Sequence, residues 1–146
     1  MRRLLVSATV VITATLISTV SVGHLGAQPQ VKAFQGYWMG IDPVDGGDSR
    51  RTFMQNDDGT FAMAGRDSFL TLCDETDRGI ATFEDGVVVD RRTMTAALKL
   101  TCFNNGAVVT LGARYQLVSD SLMIEVLTTQ DGNEFTRIVF HKVSKD

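Results

Sequence analysis

The stretch "VTLGARYQLVSDSLMIEVLTTQDGN", Val109–Asn133, decides the fold class. Two runs of alternating residues flank the short polar break Ser119–Ser121, and an Asp-Gly pair follows the second run. Strict alternation places successive side chains on opposite faces of a strand, and short breaks of this composition predict antiparallel hairpins. In the first run, the residues that share the inner side are Val109, Leu111, Ala113, Tyr115 and Leu117.

The second run also alternates between two faces. Leu122, Ile124 and Val126 share one face with Thr128, and the other face carries Met123, Glu125 and Leu127. A third alternating run, "LKLTC" at Leu98–Cys102, places its cysteine on the same side as two leucines. These runs predict a sheet with one buried and one solvated face.

The same alternation, interrupted by turn residues, continues along the chain from Phe34 onward. Asp90–Leu100 is also predicted to be a strand. Asp-Gly and Asn-Gly pairs are the strongest short-range hairpin signal and favour type I′ turns. Eight or nine strands are expected, and closure removes the unpaired edges that invite aggregation. We therefore predict an all-β protein with a single antiparallel up-and-down barrel of about eight strands. The predicted breaks are Asn56–Gly59, Glu84–Gly86, Asn104–Gly106, Ser119–Ser121 and Gln130–Asn133.

The N-terminus has the layout of a secretory signal peptide. Two arginines precede the uncharged run Leu4–Val22, and small residues follow it. We predict a signal peptide at residues 1–27, cut after Ala27 or alternatively after Gly23, a flexible leader at 28–33, and a barrel domain at 34–146. Retention of the apolar run as a membrane anchor is the alternative, because its length suffices to span a bilayer. Cleavage predicts an exported protein, periplasmic or extracellular.

Charge limits the partners of the exported chain. After residue 27 it keeps all 17 acidic residues and 12 of the 14 basic ones, a net charge of −5. This excess argues against nucleic acid and against anionic lipid surfaces. We expect a monomer that has no membrane contact after cleavage, and a small apolar ligand or a secreted protein as its partner.

The chain has two cysteines, Cys73 and Cys102. An even count in an exported protein predicts a disulfide between them. In the chain-entropy model, a loop of about 30 residues closed in this way contributes roughly 3–4 kcal/mol.

The N-terminal strand carries a family resemblance. "GYWMGI" contains Gly36 and Trp38 as a G-x-W, and the last predicted strand, Phe135–Val143, holds Arg137. This layout resembles the lipocalins and the smaller bacterial lipocalin-like barrels. The resemblance implies that Trp38 closes one end of the barrel with Arg137 packed over its indole, a contact worth about 1 kcal/mol or more when it is sheltered. Gly36 would leave room for close approach.

An acidic loop follows the first predicted strand. Asp42, Asp45 and Asp48 lie around a Gly-Gly pair. Carboxylates on such a loop can hold calcium, but the EF-hand pattern is absent and the neighbouring Pro and Gly are ordinary turn formers. We interpret the loop as a turn that could cover the barrel entrance, and we predict no metal site and no cofactor.

Further charged pairs read as surface features. Ala64–Ser68 and Cys73–Gly79 mix Asp with Arg66 and Arg78, which predicts surface ion pairs or, alternatively, a polar rim for an anionic partner. His141, the one histidine after residue 27, reads as a surface residue near the chain end.

No recognisable catalytic motif is present. The sequence predicts a non-catalytic barrel that binds a small apolar or amphipathic ligand or acts as a recognition scaffold. The alternative is an inhibitor of a secreted hydrolase. Some small periplasmic protease inhibitors are lipocalin-like barrels of similar size with an early G-x-W and one disulfide, and they block the enzyme with an N-terminal leader.

Overall fold

The computed structural model describes residues 31–68, 73 and 78–144. The predicted signal peptide and the first residues of the predicted leader lie outside them. A short 3-10 turn at Val31–Ala33 precedes eight strands. Within the described residues, no helix has the length and apolar content needed to cross a membrane. The strands are β1 (Gly36–Ile41), β2 (Asp48–Gln55), β3 (Phe61–Asp67), β4 (Gly79–Asp90), β5 (Thr93–Cys102), β6 (Val108–Ser119), β7 (Leu122–Thr128) and β8 (Glu134–Ser144).

The eight strands form one closed sheet. Each strand pairs antiparallel with the next one along the chain, and β1 pairs with β8 to complete the circle. The predicted single antiparallel up-and-down barrel is therefore confirmed, with eight strands. Closure leaves no row of unpaired backbone groups along an outer strand, because the first and last strands satisfy each other.

Four of the five predicted breaks lie between strands. Gly59 and Gly132 each lie in a five-residue connection between strands, with φ of 87° and 85°. Their amides donate to the carbonyls of Asn56 and Thr129 at 3.0 and 2.9 Å. This geometry is a turn closed by one residue in the left-handed region rather than the expected two-residue type I′ turn. Glycine is still required, because a side chain at positive φ is strained.

The prediction of a turn at Glu84–Gly86 is wrong, because these residues lie inside β4. The register between β4 and β5 shifts at this point, so the segment forms a bulge. A Cβ on Gly86 would lie 2.5 Å from Cε2 of Phe83. Glycine therefore makes room for a buried ring here, and the chain reverses later, at Arg91 and Arg92.

The strands alternate between the barrel interior and its outer surface. On β5 and β6 the predicted inner residues are buried, including Cys102 and Tyr115, except Val109, which is half-buried; Thr93 and Met94 are buried as well. On β7, however, the face that carries Glu125 points inward, and the face with Leu122, Ile124 and Val126 points outward. The inner face of β7 is thus the one that contains a carboxylate.

Aromatic side chains fill one end of the interior, which we call the Trp38 end because Phe34 and Trp38 lie there beside the start of β1. Four contacts between rings have centroid distances of 5.1 to 6.0 Å. Large buried rings supply most of the apolar area in such a core. The packed rings are Phe34, Phe53, Phe61, Phe83 and Tyr115.

Candidate functional site

Three charged side chains meet inside the barrel. Arg51 from β2, Asp67 from β3 and Glu125 from β7 are 1%, 4% and 0% exposed. We call them the interior ion cluster. The cluster links β2 to β7, although Arg51 and Glu125 are 74 residues apart in the sequence. Two carboxylates face one guanidinium, so the cluster carries one excess negative charge when all three groups are ionised.

Every N–H of the Arg51 guanidinium, which has five donors, has an acceptor. Nε and Nη2 donate to the two carboxylate oxygens of Glu125 at 3.0 and 2.9 Å. Nη1 and Nη2 donate to Asp67 at 2.8 and 3.3 Å, and Nη1 also donates to the carbonyl of Arg50 at 3.0 Å. Burial alone lowers the pKa of Arg51, but the charges of Glu125 and Asp67 outweigh it and raise the pKa above its ordinary value. A buried charge with this geometry is fully compensated.

The neighbouring residues leave space for the guanidinium. Gly65 on β3 is the cross-strand partner of Arg51. A Cβ at Gly65 would lie 2.2 Å from the carbonyl oxygen of Arg50 and 2.9 Å from Cδ of Arg51. On another side, Cζ of Arg51 lies 5.3 Å from the ring centroid of Phe140. The arginine is therefore held between a residue without a side chain and an aromatic ring.

Two buried hydroxyls complete the polar interior. Ser49 Oγ and the Tyr115 hydroxyl have no hydrogen-bond partner among the described residues. Tyr115 is the cross-strand partner of Glu125. Burial, and then the charge of Glu125, raise the pKa of Tyr115 well above its ordinary value. Among the described residues, these two hydroxyls are the buried side-chain groups without a hydrogen-bond partner, so a small polar molecule could supply one.

At the Trp38 end, the structure brings an unexpected cation to the indole. Trp38 is fully buried, and its Nε1 donates to the carbonyl of Phe34 at 2.8 Å. Nζ of Lys142 lies 5.0 Å from the centroid of the Trp38 ring. The same ammonium donates to the carbonyl of Ala33 at 3.0 Å. Thus part of the predicted flexible leader is tied to the first and last strands.

The predicted contact between Trp38 and Arg137 is not formed. Arg137 is on the outer face of β8, where its guanidinium donates to Glu134 at 2.9 and 3.1 Å. The reason is strand parity: position 142 faces inward and is the cross-strand partner of Trp38, whereas position 137 faces outward. Gly36 begins β1 and is buried.

The predicted disulfide is confirmed. Cys73 and Cys102 are bonded, with their Cα atoms 5.5 Å apart. The bridge links the connection between β3 and β4 to the end of β5. The next residue, Phe103, is 71% exposed, and its amide donates to the carbonyl of Arg78 at 3.0 Å. An aromatic side chain is therefore presented to solvent beside a covalent cross-link.

The acidic loop has the local bonding of a turn. Asp42 accepts hydrogen bonds from the Val44 amide at 2.9 Å and from Thr136 Oγ1 at 3.0 Å. Asp45 accepts from the amide of Gly47 at 2.8 Å, and Asp48 forms an ion pair with Arg50 at 3.1 Å. The contact with Thr136 ties the loop to β8. Across residues 31–68, 73 and 78–144, no group of three or more potential ligands is placed to hold a metal ion.

An apolar surface covers three neighbouring strands on the outside of the barrel, where β7, β8 and β1 meet. Cross-strand pairing aligns Ile124, Val139 and Ile41 in one row. A second row runs from Leu122 through His141 to Met39. We call this surface the outer apolar face; its aliphatic members are Met39, Ile41, Leu122, Ile124, Val126 and Val139.

A shallow groove of about 460 Å³ runs along this face. It is lined by Met39, Gly40, Ile41, Val139 and His141. Another depression, of about 200 Å³, lies at the β4 bulge and is lined by residues that include Glu84 and Lys99. Both involve mainly outer positions of the strands, so they are features of the surface rather than of the barrel axis.

Sequence reasoning missed the interior ion cluster. Asp67 was expected in a surface ion pair and is buried instead. A signal was present in "SRRTF", because Arg51 shares strand parity with Ser49 and Phe53 and therefore faces the core with them. The acceptor strand, β7, is not readable from that pattern, because alternation says nothing about which strands face each other across a barrel.

Comparison with known proteins supports the fold alone. A solved structure of a redesigned β-barrel is similar, with a TM-score of 0.56 and 14% sequence identity. The similarity covers 79% of this chain and 96% of that chain. No protein-family model and no curated protein matches the sequence.

Proposed function

We propose that this protein is an exported, non-catalytic, lipocalin-like barrel that acts as a recognition scaffold for another protein. The observation that carries the proposal is the filled interior. Trp38, Arg51, Tyr115 and Phe140 are all fully buried along the barrel axis. A carrier of drug-sized ligands uses a cavity of about 300–1,000 Å³, and in this barrel large side chains occupy that space. Recognition then falls to the outer surface and the loops.

Export is supported by the disulfide. Bonds of this kind persist in oxidising compartments such as the periplasm and the extracellular space. The signal-peptide pattern of the first 27 residues agrees with such a location. The absence of catalysis is supported by the interior ion cluster, in which both carboxylates already accept hydrogen bonds from Arg51. That arrangement is typical of a structural ion pair.

Inhibition of a secreted hydrolase is the specific form of recognition that the loops favour. Phe103 projects beside the disulfide, so little conformational freedom would be lost when a partner binds it. The leader is also held at its base, because Lys142 and Trp38 donate to the carbonyls of Ala33 and Phe34. Ala33 and Phe34 therefore have fixed positions at this end of the barrel.

Binding of a small amphipathic ligand inside the barrel is the second candidate. The unpartnered hydroxyls of Ser49 and Tyr115 favour it. Such a ligand would supply the missing hydrogen bonds to these two groups. It would have to displace side chains at the Trp38 end, because the rings there are in mutual contact.

Native mass spectrometry of the oxidised protein, purified from its own exported fraction, separates the two candidates. We expect the mass of the chain alone, reduced by the two hydrogens of the disulfide and by the signal peptide. A reproducible additional mass that is lost on organic extraction would overturn the scaffold proposal and identify a cargo molecule.

The inhibitor form is tested with a matched pair of variants. Secreted hydrolases of the host are assayed with the wild-type protein, with Phe103→Ser and with Val87→Ser, an exposed substitution on β4. We expect inhibition that is weakened by Phe103→Ser alone, by about tenfold or more for a buried aromatic anchor. Equal inhibition by both variants would exclude the Phe103 loop as the contact.

A further inference from the structure

The outer apolar face is unusual for an exterior surface. Ile41 is 60% exposed and Val139 is 44% exposed. They are cross-strand partners, and Ile124 follows in the same row on β7. Single exposed aliphatic residues are ordinary, but a contiguous apolar surface on adjacent strands marks an interaction site.

The shape of this face favours a protruding partner. The groove is lined by Met39, Gly40 and Ile41 of β1 and by Val139 and His141 of β8. A concave apolar groove accepts the ridge of side chains of a polypeptide segment. A flat lipid surface would contact only the rims of such a groove. We therefore favour a protein segment over a membrane as the occupant.

Arginines border the outer apolar face on both sides. On the β2 and β3 side, Met39 pairs across the strands with Arg50, and Arg50 pairs with Arg66. Arg50 has an ion pair with Asp48, whereas Arg66 forms none within the described residues. The surface beyond β1 is thus positive even though the whole chain carries a net charge of −3.

On the opposite side the bordering strand is β6, which contributes Arg114, while Arg137 lies on β8 at one end of the face. Val126 on β7 lies between Arg114 on β6 and Arg137 on β8 in the cross-strand register. Glu134 neutralises Arg137, and Arg114 adds a further cation. Arg50 and Arg137 are paired with Asp48 and Glu134, so the excess positive charge around the face comes from Arg66 on β3 and Arg114 on β6.

This charge distribution disfavours a second copy of the same chain as the occupant. If two outer apolar faces packed together, each border of one copy would meet a border of the other. Both borders have a net positive charge, from Arg66 on one side and Arg114 on the other, so two such faces would bring like net charges together, which opposes association. A partner with carboxylates beside its apolar ridge would instead meet complementary charge on both sides.

We propose that the outer apolar face is the docking site for an acidic amphipathic segment of a partner protein, with its apolar side chains in the groove and its carboxylates against the bordering arginines. The inference rests on the proposed function of a recognition scaffold and gives that function a place on the barrel. Phe103 lies on a loop after β5, away from the three strands of the face, so the two surfaces can be tested separately.

The first test uses a matched pair of soluble peptides, one alternating leucine with glutamate and the other alternating leucine with lysine. Both are titrated into the oxidised protein, residues 28–146, and followed by amide chemical shifts. We expect shifts centred on Met39, Ile41, Val139 and His141 with the acidic peptide. Its affinity should exceed that of the basic peptide by about tenfold, the value expected for two modest surface ion pairs. Equal affinities, or shifts elsewhere on the barrel, would overturn the proposal.

Variants on opposite sides of the barrel provide the control. Val139→Glu places a carboxylate in the groove, and Val87→Glu makes the same change on β4, where Val87 is 52% exposed. We expect the acidic peptide to lose its binding to Val139→Glu and to keep it with Val87→Glu. Both side chains are at outer positions, so both variants should retain the fold. If both variants lose binding of the acidic peptide to the same extent, the proposed specific site is refuted.

Other occupants have their own signatures. Sedimentation at rising protein concentration tests for a dimer that Val139→Glu abolishes, and finding one would replace the proposal with self-association. Vesicles of phosphatidylglycerol that shift the same amides while the acidic peptide does not would replace it with a lipid surface. A cargo mass in the native spectrum would remove the proposed function itself, whereas failure of the peptide test with a clean mass would remove only this docking site.

Discussion

The inner and outer faces of β7 differ in a way that runs against the usual pattern. Inside the barrel the strand presents Glu125, and outside it presents Leu122, Ile124 and Val126. The inner carboxylate is stable because Arg51 supplies two hydrogen bonds to it. The outer aliphatic side chains gain no such compensation in the isolated barrel. A saturated ion cluster can therefore occupy a core, while the apolar exterior is the feature that the proposed docking site would explain.

The largest effect should come from breaking the interior ion cluster. Arg51→Met leaves two buried carboxylates without their cation, and we expect the free energy of unfolding to fall by about 3–5 kcal/mol. Urea denaturation followed by the fluorescence of Trp38, the single tryptophan, measures this change. The control is Arg137→Met on the outer surface. It should lower the free energy of unfolding by less than about 1 kcal/mol, because the ion pair of Arg137 is exposed.

Neutralising the two buried carboxylates as well should restore part of the lost free energy of unfolding. Arg51→Met combined with Asp67→Asn and Glu125→Gln neutralises the cluster, so we expect a smaller destabilisation than for Arg51→Met alone. Equal destabilisation of Arg51→Met and Arg137→Met would mean that the cluster contributes no more than a surface pair.

A smaller effect should follow when the space beside Arg51 is filled. Gly65→Ala brings a Cβ against the carbonyl oxygen of Arg50, a backbone atom that cannot rotate away. We expect a loss of about 1–3 kcal/mol, typical of overpacking. Gly112→Ala is the outward control, since its Cβ would meet only the Oγ1 of Thr128, which can change rotamer. Thermal unfolding of both variants measures the difference, and a neutral Gly65→Ala would show that the cluster tolerates displacement.

The Trp38 end offers a third test. Lys142→Met removes both the cation over the indole and the hydrogen bond to Ala33. We expect a loss of about 1–2 kcal/mol and faster amide exchange around Phe34. Lys142→Arg should retain most of the stability, and the outward control Lys99→Met should change it by less than about 0.5 kcal/mol. If the rate of amide exchange around Phe34 is unchanged in Lys142→Met, the leader is held by packing alone.

The smallest effect at neutral pH should come from Tyr115→Phe, because the hydroxyl that is removed has no partner among the described residues. We expect a change within about 1 kcal/mol at pH 7. At alkaline pH the folded state holds the phenol proton, since the pKa is raised, while the unfolded state releases it near its ordinary pKa of about 10. Stability that depends on Tyr115 is therefore lost as the pH rises above about 10, by at most about 1.4 kcal/mol per pH unit.

The control for that experiment is Tyr37→Phe on β1. We expect urea denaturation at pH 7 and at alkaline pH to show a shallower loss of stability for Tyr115→Phe than for the wild type. The same steepness in Tyr115→Phe and in the wild type would show that Tyr115 is not the group responsible.

Much of the barrel could be predicted from local chemistry. Gly59 and Gly132 mark reversals because their turns need positive φ, and the alternation in β6 correctly assigns the face of Tyr115. The acidic loop around Asp45 also behaves as the turn that its composition predicts. These features depend on residues close together in the chain, so the sequence pattern contains them.

The interior could be predicted only in part. The sequence predicts that Arg137 of the last strand contacts Trp38. Lys142 of the same strand makes this contact instead, because position 142 faces the inside of the barrel and position 137 faces outward. Glu84–Gly86 has the composition of a turn and forms a bulge, because Gly86 is needed to accommodate a core ring. Glu125 reaches the cluster through pairing across the barrel, which no local pattern records.

Lys142 also has a consequence for the order in which the molecule assembles. It bonds to Ala33 across 109 residues of sequence and lies in the ladder that joins β8 to β1. Hairpins between neighbouring strands form in microseconds, but contacts of such sequence separation are slow. Closure has to wait until the last strand has been synthesised, and until then β1 and β7 both present open edges. A chain that ends before β8 is therefore expected to be an open, aggregation-prone sheet rather than a slightly weakened barrel.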